Sequence, residues 1–117
     1  MKKYNTEQEQ LTAVKKYWNA IQYIENPSEN VQLAAVKNNG LAIEYIKNSS
    51  ENVQLEAVKN DGYSIYYIKN PSEKVQLAAV ENNKDSIKYV INPSEKVKLI
   101  LKMNKLEQLI MFNIMIK

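Results

Sequence analysis

The chain reads as an all-α protein, a short α-solenoid of about five 22-residue helical hairpin repeats with divergent terminal caps. Three observations lead there. The stretch Asn26-Pro27-Ser28-Glu29-Asn30-Val31-Gln32-Leu33-Ala34-Ala35-Val36 returns, little altered, from Asn48, Asn70 and Asn92, a constant interval of 22 residues. A fixed period in this range marks units too small to bury an apolar face alone, which gain a core by stacking on their neighbours. Each recurrence also opens on helix-start residues. Finally, the apolar residues lack the period of two that strands need, and glycine totals only 2 residues.

The units fall at 4–25, 26–47, 48–69, 70–91 and 92–117, one helical-repeat domain in all. The first keeps Leu11, Ala13, Val14, Ile21, Tyr23 and Ile24 in register but carries Trp18 where later units carry Gly40 and Gly62. No turn residue divides it. One nearly continuous helix is expected there, started by Thr6 with Glu9 as a capping box.

In the second unit Asn26-Pro27-Ser28-Glu29 reads as N-cap, proline at the first helical position and glutamate at the third. The first helix then runs through Val31, Leu33, Ala34, Ala35 and Val36 to Asn38-Asn39-Gly40. Glycine after an asparagine pair is a helix stop, because it enters the left-handed conformation without a Cβ clash. Apolar residues surround most of this helix, so it is sandwiched between neighbours. A second, shorter helix, Leu41 to Lys47, places Ala42, Ile43 and Ile46 on one side with Tyr45 at its edge.

The third unit repeats this plan with Ser49 for the proline and Asn60-Asp61-Gly62 as the stop. In the fourth, Lys84 replaces the glycine, so its hairpin is expected to be set differently. The last keeps Asn92-Pro93-Ser94-Glu95, Val97 and Leu99, then departs into Ile100-Leu101-Lys102-Met103 and an apolar tail. Tyr23, Tyr45, Tyr67 and Tyr89 form a ladder at the same period, read as rings that cover the seams between units with their hydroxyls wet. At about 1.5 Å per residue and 8–10 Å between stacked helices, five units make a rod of roughly 40–50 Å.

Composition narrows the function. There is no cysteine and no histidine, which removes disulfide frameworks, thiolate nucleophiles, the usual zinc sites and imidazole acid–base catalysis. Glu29, Glu51, Glu73 and Glu95 recur, but helix capping accounts for them, and the chain has neither a phosphate-binding glycine loop nor a calcium loop. No catalytic, cofactor or metal residue is therefore expected; the protein is read as not an enzyme. The formal charge is +3 and all 16 basic residues are lysines. The lack of arginine, the bidentate reader of phosphate and guanine, counts against nucleic acid as the first reading. Met1 to Glu7 carries lysines with no apolar run behind it, unlike a secretory signal, and no run approaches the roughly 20 apolar residues of a membrane span. A cytoplasmic location without a membrane partner is expected.

The pattern V-x-L-x-A-V-x-x-N-G-x-x-I-x-Y-I after an N-P-S-E start resembles a short alpha-helical repeat family of unknown function found in bacterial and phage proteins, loosely HEAT-like. The resemblance implies a stacked-helix scaffold. Small phage-borne proteins of this kind can inhibit host machinery by masking a surface of a host defence complex, in the manner of anti-CRISPR proteins, and this too is what the resemblance implies.

Positions that vary while the core stays constant are free to contact a partner. Three lie on the outer side of the second helix: Leu41, Tyr63 and Asp85; Glu44, Tyr66 and Lys88; Lys47, Lys69 and Ile91. Leu41, Glu44, Tyr63, Tyr66, Lys69 and Lys88 are the candidate partner-binding residues, with Tyr63 and Tyr66 central because tyrosine brings much contact area for little rotamer entropy; the alternative, and the first reading of these two rings, is that they lie flat on the neighbouring hairpin. The expected partner is a protein, or else a nucleoprotein complex. Two alternatives stand beside it: lysine-mediated binding of nucleic acid, and a structural homo-oligomer. The tail from Leu106 to Ile116 is too apolar for a free surface helix; a cap over the last hairpin or a homodimer seam is the first reading, ahead of a partner-binding helix or an interfacial membrane anchor.

Overall fold

In the computed structural model, which describes residues 4–115, the chain is a helical rod of 49 × 23 × 18 Å. Six α-helices run in chain order: α1 Glu7–Lys16, α2 Glu29–Asn38, α3 Glu51–Asn60, α4 Glu73–Asn82, α5 Glu95–Leu101 and α6 Lys105–Met115. Each of the first four is followed by a six-residue 3-10 helix: Trp18–Tyr23, Gly40–Tyr45, Gly62–Tyr67 and Lys84–Tyr89. No strand occurs among the described residues. From α2 to α5 the starting glutamates stand 22 residues apart, and consecutive α-helices pack side by side, as do consecutive 3-10 helices. The shape is that of a short solenoid whose units are a three-turn helix and a tight return.

The core forms where the period places it. Val31, Val53, Val75 and Val97 are buried at equivalent positions of α2 to α5, with Ala35, Ala57 and Ala79 four residues on. Ala42, Ile43 and Ile46 are buried together, as their spacing requires. One apolar cluster runs from Val14 to Val90; a second, built from Leu77, Val80, Val97, Ile100 and Phe112, sits at the C-terminal end.

The helix caps differ from the sequence reading. The N-caps are Ser28, Ser50, Ser72 and Ser94, whose hydroxyls accept from the backbone N–H of Val31, Val53, Val75 and Val97 at 3.2–3.3 Å. Asn26, Asn48 and Asn70 instead take left-handed backbone, φ 51–53°, where asparagine is among the few non-glycine residues tolerated. They reverse the chain ahead of the cap. The glutamates are consequently the first helical residues. Rather than folding back on their own helix, Glu29 accepts from the Ser50 hydroxyl and Glu51 from the Ser72 hydroxyl at 2.7 Å, joining one cap to the next.

Glycine also serves a different purpose. Neither Gly40 nor Gly62 has positive φ; each opens a 3-10 helix whose cap is Asn39 or Asp61, the side chain accepting from the N–H two residues on. What excludes a larger residue is the neighbouring unit. A Cβ on Gly40 would lie 2.3 Å from the Ala57 carbonyl oxygen, and one on Gly62 would lie 2.7 Å from that of Ala79. The corresponding position one unit on is Leu101, the last residue of the shortened α5, and Lys84 is exposed. The hairpin of Lys84 is therefore set like the others, contrary to expectation.

Unit 1 is not one continuous helix. The Thr6–Glu9 capping box is present, but extended backbone at Tyr17, φ −134°, separates α1 from the 3-10 helix Trp18–Tyr23. Half-buried Trp18 stacks on Tyr45 at 6.4 Å between centroids. Docking against unit 2 overrides the lack of a local breaker: Asn38 Nδ2 donates to the carbonyls of Val14 and Lys15, gripping the end of α1.

In the last unit Asn104 caps α6 by accepting from Glu107 N at 2.8 Å, while Glu107 accepts from Asn104 N at 3.1 Å. Phe112 and Gln108 are buried against the terminal cluster, the amide of Gln108 donating to the Ile100 and Met103 carbonyls. One face of α6 thus caps the rod. Ile116, the end of the expected seam, lies outside the described residues.

Candidate functional site

The 3-10 helices line up on one side of the rod and carry the tyrosines. In a six-residue 3-10 helix, side chains three apart share an edge, so Tyr63 and Tyr66 project together and Tyr67 turns to their flank. Unit 4 supplies Tyr89 and unit 2 supplies Leu41. The Tyr63 ring meets Tyr89 edge to face at 5.6 Å, Tyr66 meets Tyr89 at 5.2 Å, and Tyr66 meets Tyr67 at 5.0 Å. Such geometry sets the positive edge of one ring against the negative face of the next. With Leu41 the four rings line a shallow hollow of about 400 Å³.

Of the six candidate residues, Leu41, Tyr63 and Tyr66 line it. Leu41 and Tyr63 are half-buried in its lining, whereas Tyr66 is 63% exposed. Lys88 Nζ lies 5.6 Å from the centre of the Tyr63 ring and 5.3 Å from that of Tyr89, within cation–π range of both. Glu44 is exposed on the unit 2 side. Desolvation by burial, and then the Glu44 carboxylate, raise the pKa of the Tyr67 hydroxyl above its ordinary value. Lys69 lies in an adjoining groove of about 550 Å³, shared with Tyr66, Tyr67, Tyr89 and Ile91.

That second groove belongs to the repeat. Its equivalent between units 1 and 2, about 510 Å³, is lined by the same positions two periods earlier. Asn26, Pro27, Gln32 and Tyr45 there correspond to Asn70, Pro71, Gln76 and Tyr89. The shared residues build the groove: Gln32 donates to the Pro27 carbonyl and Gln76 to that of Pro71. The lining changes, with Gln22 becoming Tyr66, Glu25 becoming Lys69 and Lys47 becoming Ile91. The scaffold of the two grooves is thus constant and their lining differs.

Tyr67, Tyr89 and Ile91 were outside the candidate set. The two tyrosines were hidden by their regularity, since a residue present in every unit reads as structural. Ile91 carried a signal, an isoleucine where Lys47 and Lys69 stand, and it is 94% exposed. The C-terminal lysines are partly matched: Lys96 pairs with Glu73 at 3.7 Å and Lys98 with Glu95 at 3.4 Å. Among the described residues no group of three or more acidic side chains gathers to hold a metal ion, and no helix is long and apolar enough to cross a membrane.

Fold and surface together define a helical-repeat protein with a tyrosine-lined face. A family model described as a domain of unknown function, DUF4116, matches residues 28–71. The match opens at the Ser28 cap and covers two periods, so the chain is similar to that family over its central units. Neither the curated proteins nor the solved structures gave a match.

Proposed function

We propose that the protein is a non-catalytic protein-binding module whose contact surface is the tyrosine face of units 3 and 4. The observation that carries this reading is Tyr66, 63% exposed and braced edge-on by two other rings. An aromatic side chain already held in place loses little conformational entropy on binding, and such residues dominate binding energy at interfaces. Lys69, Lys88 and Glu44 supply the polar rim. The mode of action that follows from a rigid outer face is masking, in which part of a larger protein complex is covered, as the resemblance to phage-borne repeats implies.

The test is affinity purification with the wild-type chain and with Tyr66→Ala, with and without nuclease, at about 50 and 200 mM salt. A stoichiometric protein partner, retained with nuclease and at high salt and lost in Tyr66→Ala, is expected. Bound material that nuclease removes, with affinity falling steeply across that salt range, would instead assign the lysines a nucleic-acid role.

A further inference from the structure

We infer, on the basis of the protein-binding reading above, that the groove between units 3 and 4 receives an extended, acidic segment of the partner protein. One carboxylate of that segment sits on Lys69, and an apolar side chain lies between Tyr66 and Ile91. The groove, about 550 Å³, adjoins the tyrosine hollow and shares Tyr66, Tyr67 and Tyr89 with it. One wall of the groove is therefore the tyrosine face itself.

Charge selects the occupant. The lining of the groove holds one lysine and no carboxylate. Lys69 is exposed, and among the described residues it pairs with no acidic side chain. The groove between units 1 and 2, built on the same scaffold, is the internal comparison. There Glu25 stands in the place of Lys69 and Lys47 in the place of Ile91, so a glutamate and a lysine offset each other. Between units 3 and 4 the first charge is reversed and the second is gone. A site left with an unmatched positive charge favours a negative partner and disfavours a positive one.

The groups beside Lys69 specify the rest of the segment. Ile91 is 94% exposed and Tyr66 63% exposed, and both line this groove, so an aliphatic or aromatic side chain laid against them removes apolar surface from water. Asn70 and Asn92 also line it, are exposed, and among the described residues their side-chain amides make no hydrogen bond. Each amide offers a donor and an acceptor, the combination that an extended peptide backbone matches. A nucleic-acid strand is matched less well, since its run of phosphates calls for several cations and the groove supplies one.

Selection of a displayed library of short random peptides on the immobilised full chain is the test. Recovered peptides should be enriched in Asp and Glu beside an aliphatic or aromatic residue. Synthesised singly, they should bind Lys69→Glu about tenfold or more weakly than the wild type. The same charge change at Lys37→Glu, on exposed α2 surface outside the groove, should leave their binding unchanged. Both variants should keep the helical circular dichroism, because unit 1 already carries a glutamate, Glu25, at the position of Lys69. In an isotope-labelled sample the peptides should shift the side-chain amide resonances of Asn70 and Asn92 and leave that of Asn26 in place. Enrichment of basic peptides, no enrichment, or acidic peptides weakened equally by Lys69→Glu and Lys37→Glu would overturn the proposal. So would a short oligothymidine that binds through Lys69 in preference to the peptides. A stoichiometric protein partner still lost in Tyr66→Ala would in those cases leave the protein-binding reading standing, so the two fail separately.

Discussion

The side-chain oxygen of Asn82 accepts the backbone N–H of Gly62, one unit away, at 2.8 Å. The same amide donates from Nδ2 to the Lys59 carbonyl at 3.0 Å, so a single asparagine closes the end of α3 and holds the start of the following 3-10 helix. Asn60 makes the same pair of bonds to Gly40 and Lys37, at 2.7 and 3.2 Å. Asn38 grips the end of α1 likewise. Asn104, next in the register, turns to cap α6 instead, and there the regular stacking stops.

Asn60→Ala should destabilise the protein by about 1–3 kcal/mol, because it strands the N–H of buried Gly40 as well as deleting a bond. Asn104→Ala removes only a cap and should cost about 1 kcal/mol. Urea unfolding followed by circular dichroism measures both; equal losses would show that the inter-unit bonds contribute nothing beyond capping.

Gly40→Ala should cost more than the few tenths of a kcal/mol expected of an unstrained site. The added methyl meets a backbone carbonyl at 2.3 Å, which has to move, and overpacking of this kind costs about 1–3 kcal/mol. Lys84→Gly, at the equivalent exposed position, should lower the melting temperature only slightly through backbone entropy. Tolerance of alanine at position 40 would refute the close-approach explanation of the glycine.

Ser64→Ala should be neutral or stabilising by up to about 1 kcal/mol. Its hydroxyl is fully buried and makes no hydrogen bond within the protein, and burying an unpaired hydroxyl is unfavourable. Ala42 occupies the equivalent position one unit earlier, whereas Ser86 one unit later donates to the Asn83 carbonyl. Ser86→Ala should therefore be the more damaging of the two, as thermal melts of the pair would reveal.

Tyr63→Ala and Tyr66→Ala should separate stability from recognition. Tyr63 is half-buried between units, and its loss forfeits the contact with Tyr89, about 0.5–1.5 kcal/mol beyond burial. Tyr66 is largely exposed, so its removal should leave the melting temperature nearly unchanged while abolishing partner binding. Binding lost in step with stability in both variants would point to unfolding as the cause.

The period, the all-helical class and most of the buried positions were legible in the residues, because burial by stacking leaves a repeated apolar pattern, although Leu99 of the last unit is 54% exposed. Details that depend on a neighbouring unit were not. Asn-Pro-Ser-Glu contains two competing cap signals, and the choice of Ser28 over Asn26 is made by the chain reversal that the left-handed asparagine creates. The glycines answer to carbonyls 17 residues ahead, at Ala57 and Ala79, which local stop rules cannot register. A 3-10 return and a short α-helix share the same apolar spacing over six residues, and the break at Tyr17 has no breaker residue to announce it. At the candidate site the varying positions were readable, but the constant tyrosines that brace them were not, since position alone does not reveal which rings meet.

Units stacked in register at one period should appear directly in a nuclear Overhauser spectrum of the labelled protein. Cross-peaks are expected from the Gly40 amide proton to Asn60 and from the Gly62 amide proton to Asn82, with both amides slow to exchange with solvent. Missing cross-peaks together with exchange at the rate of open chain would contradict in-register stacking.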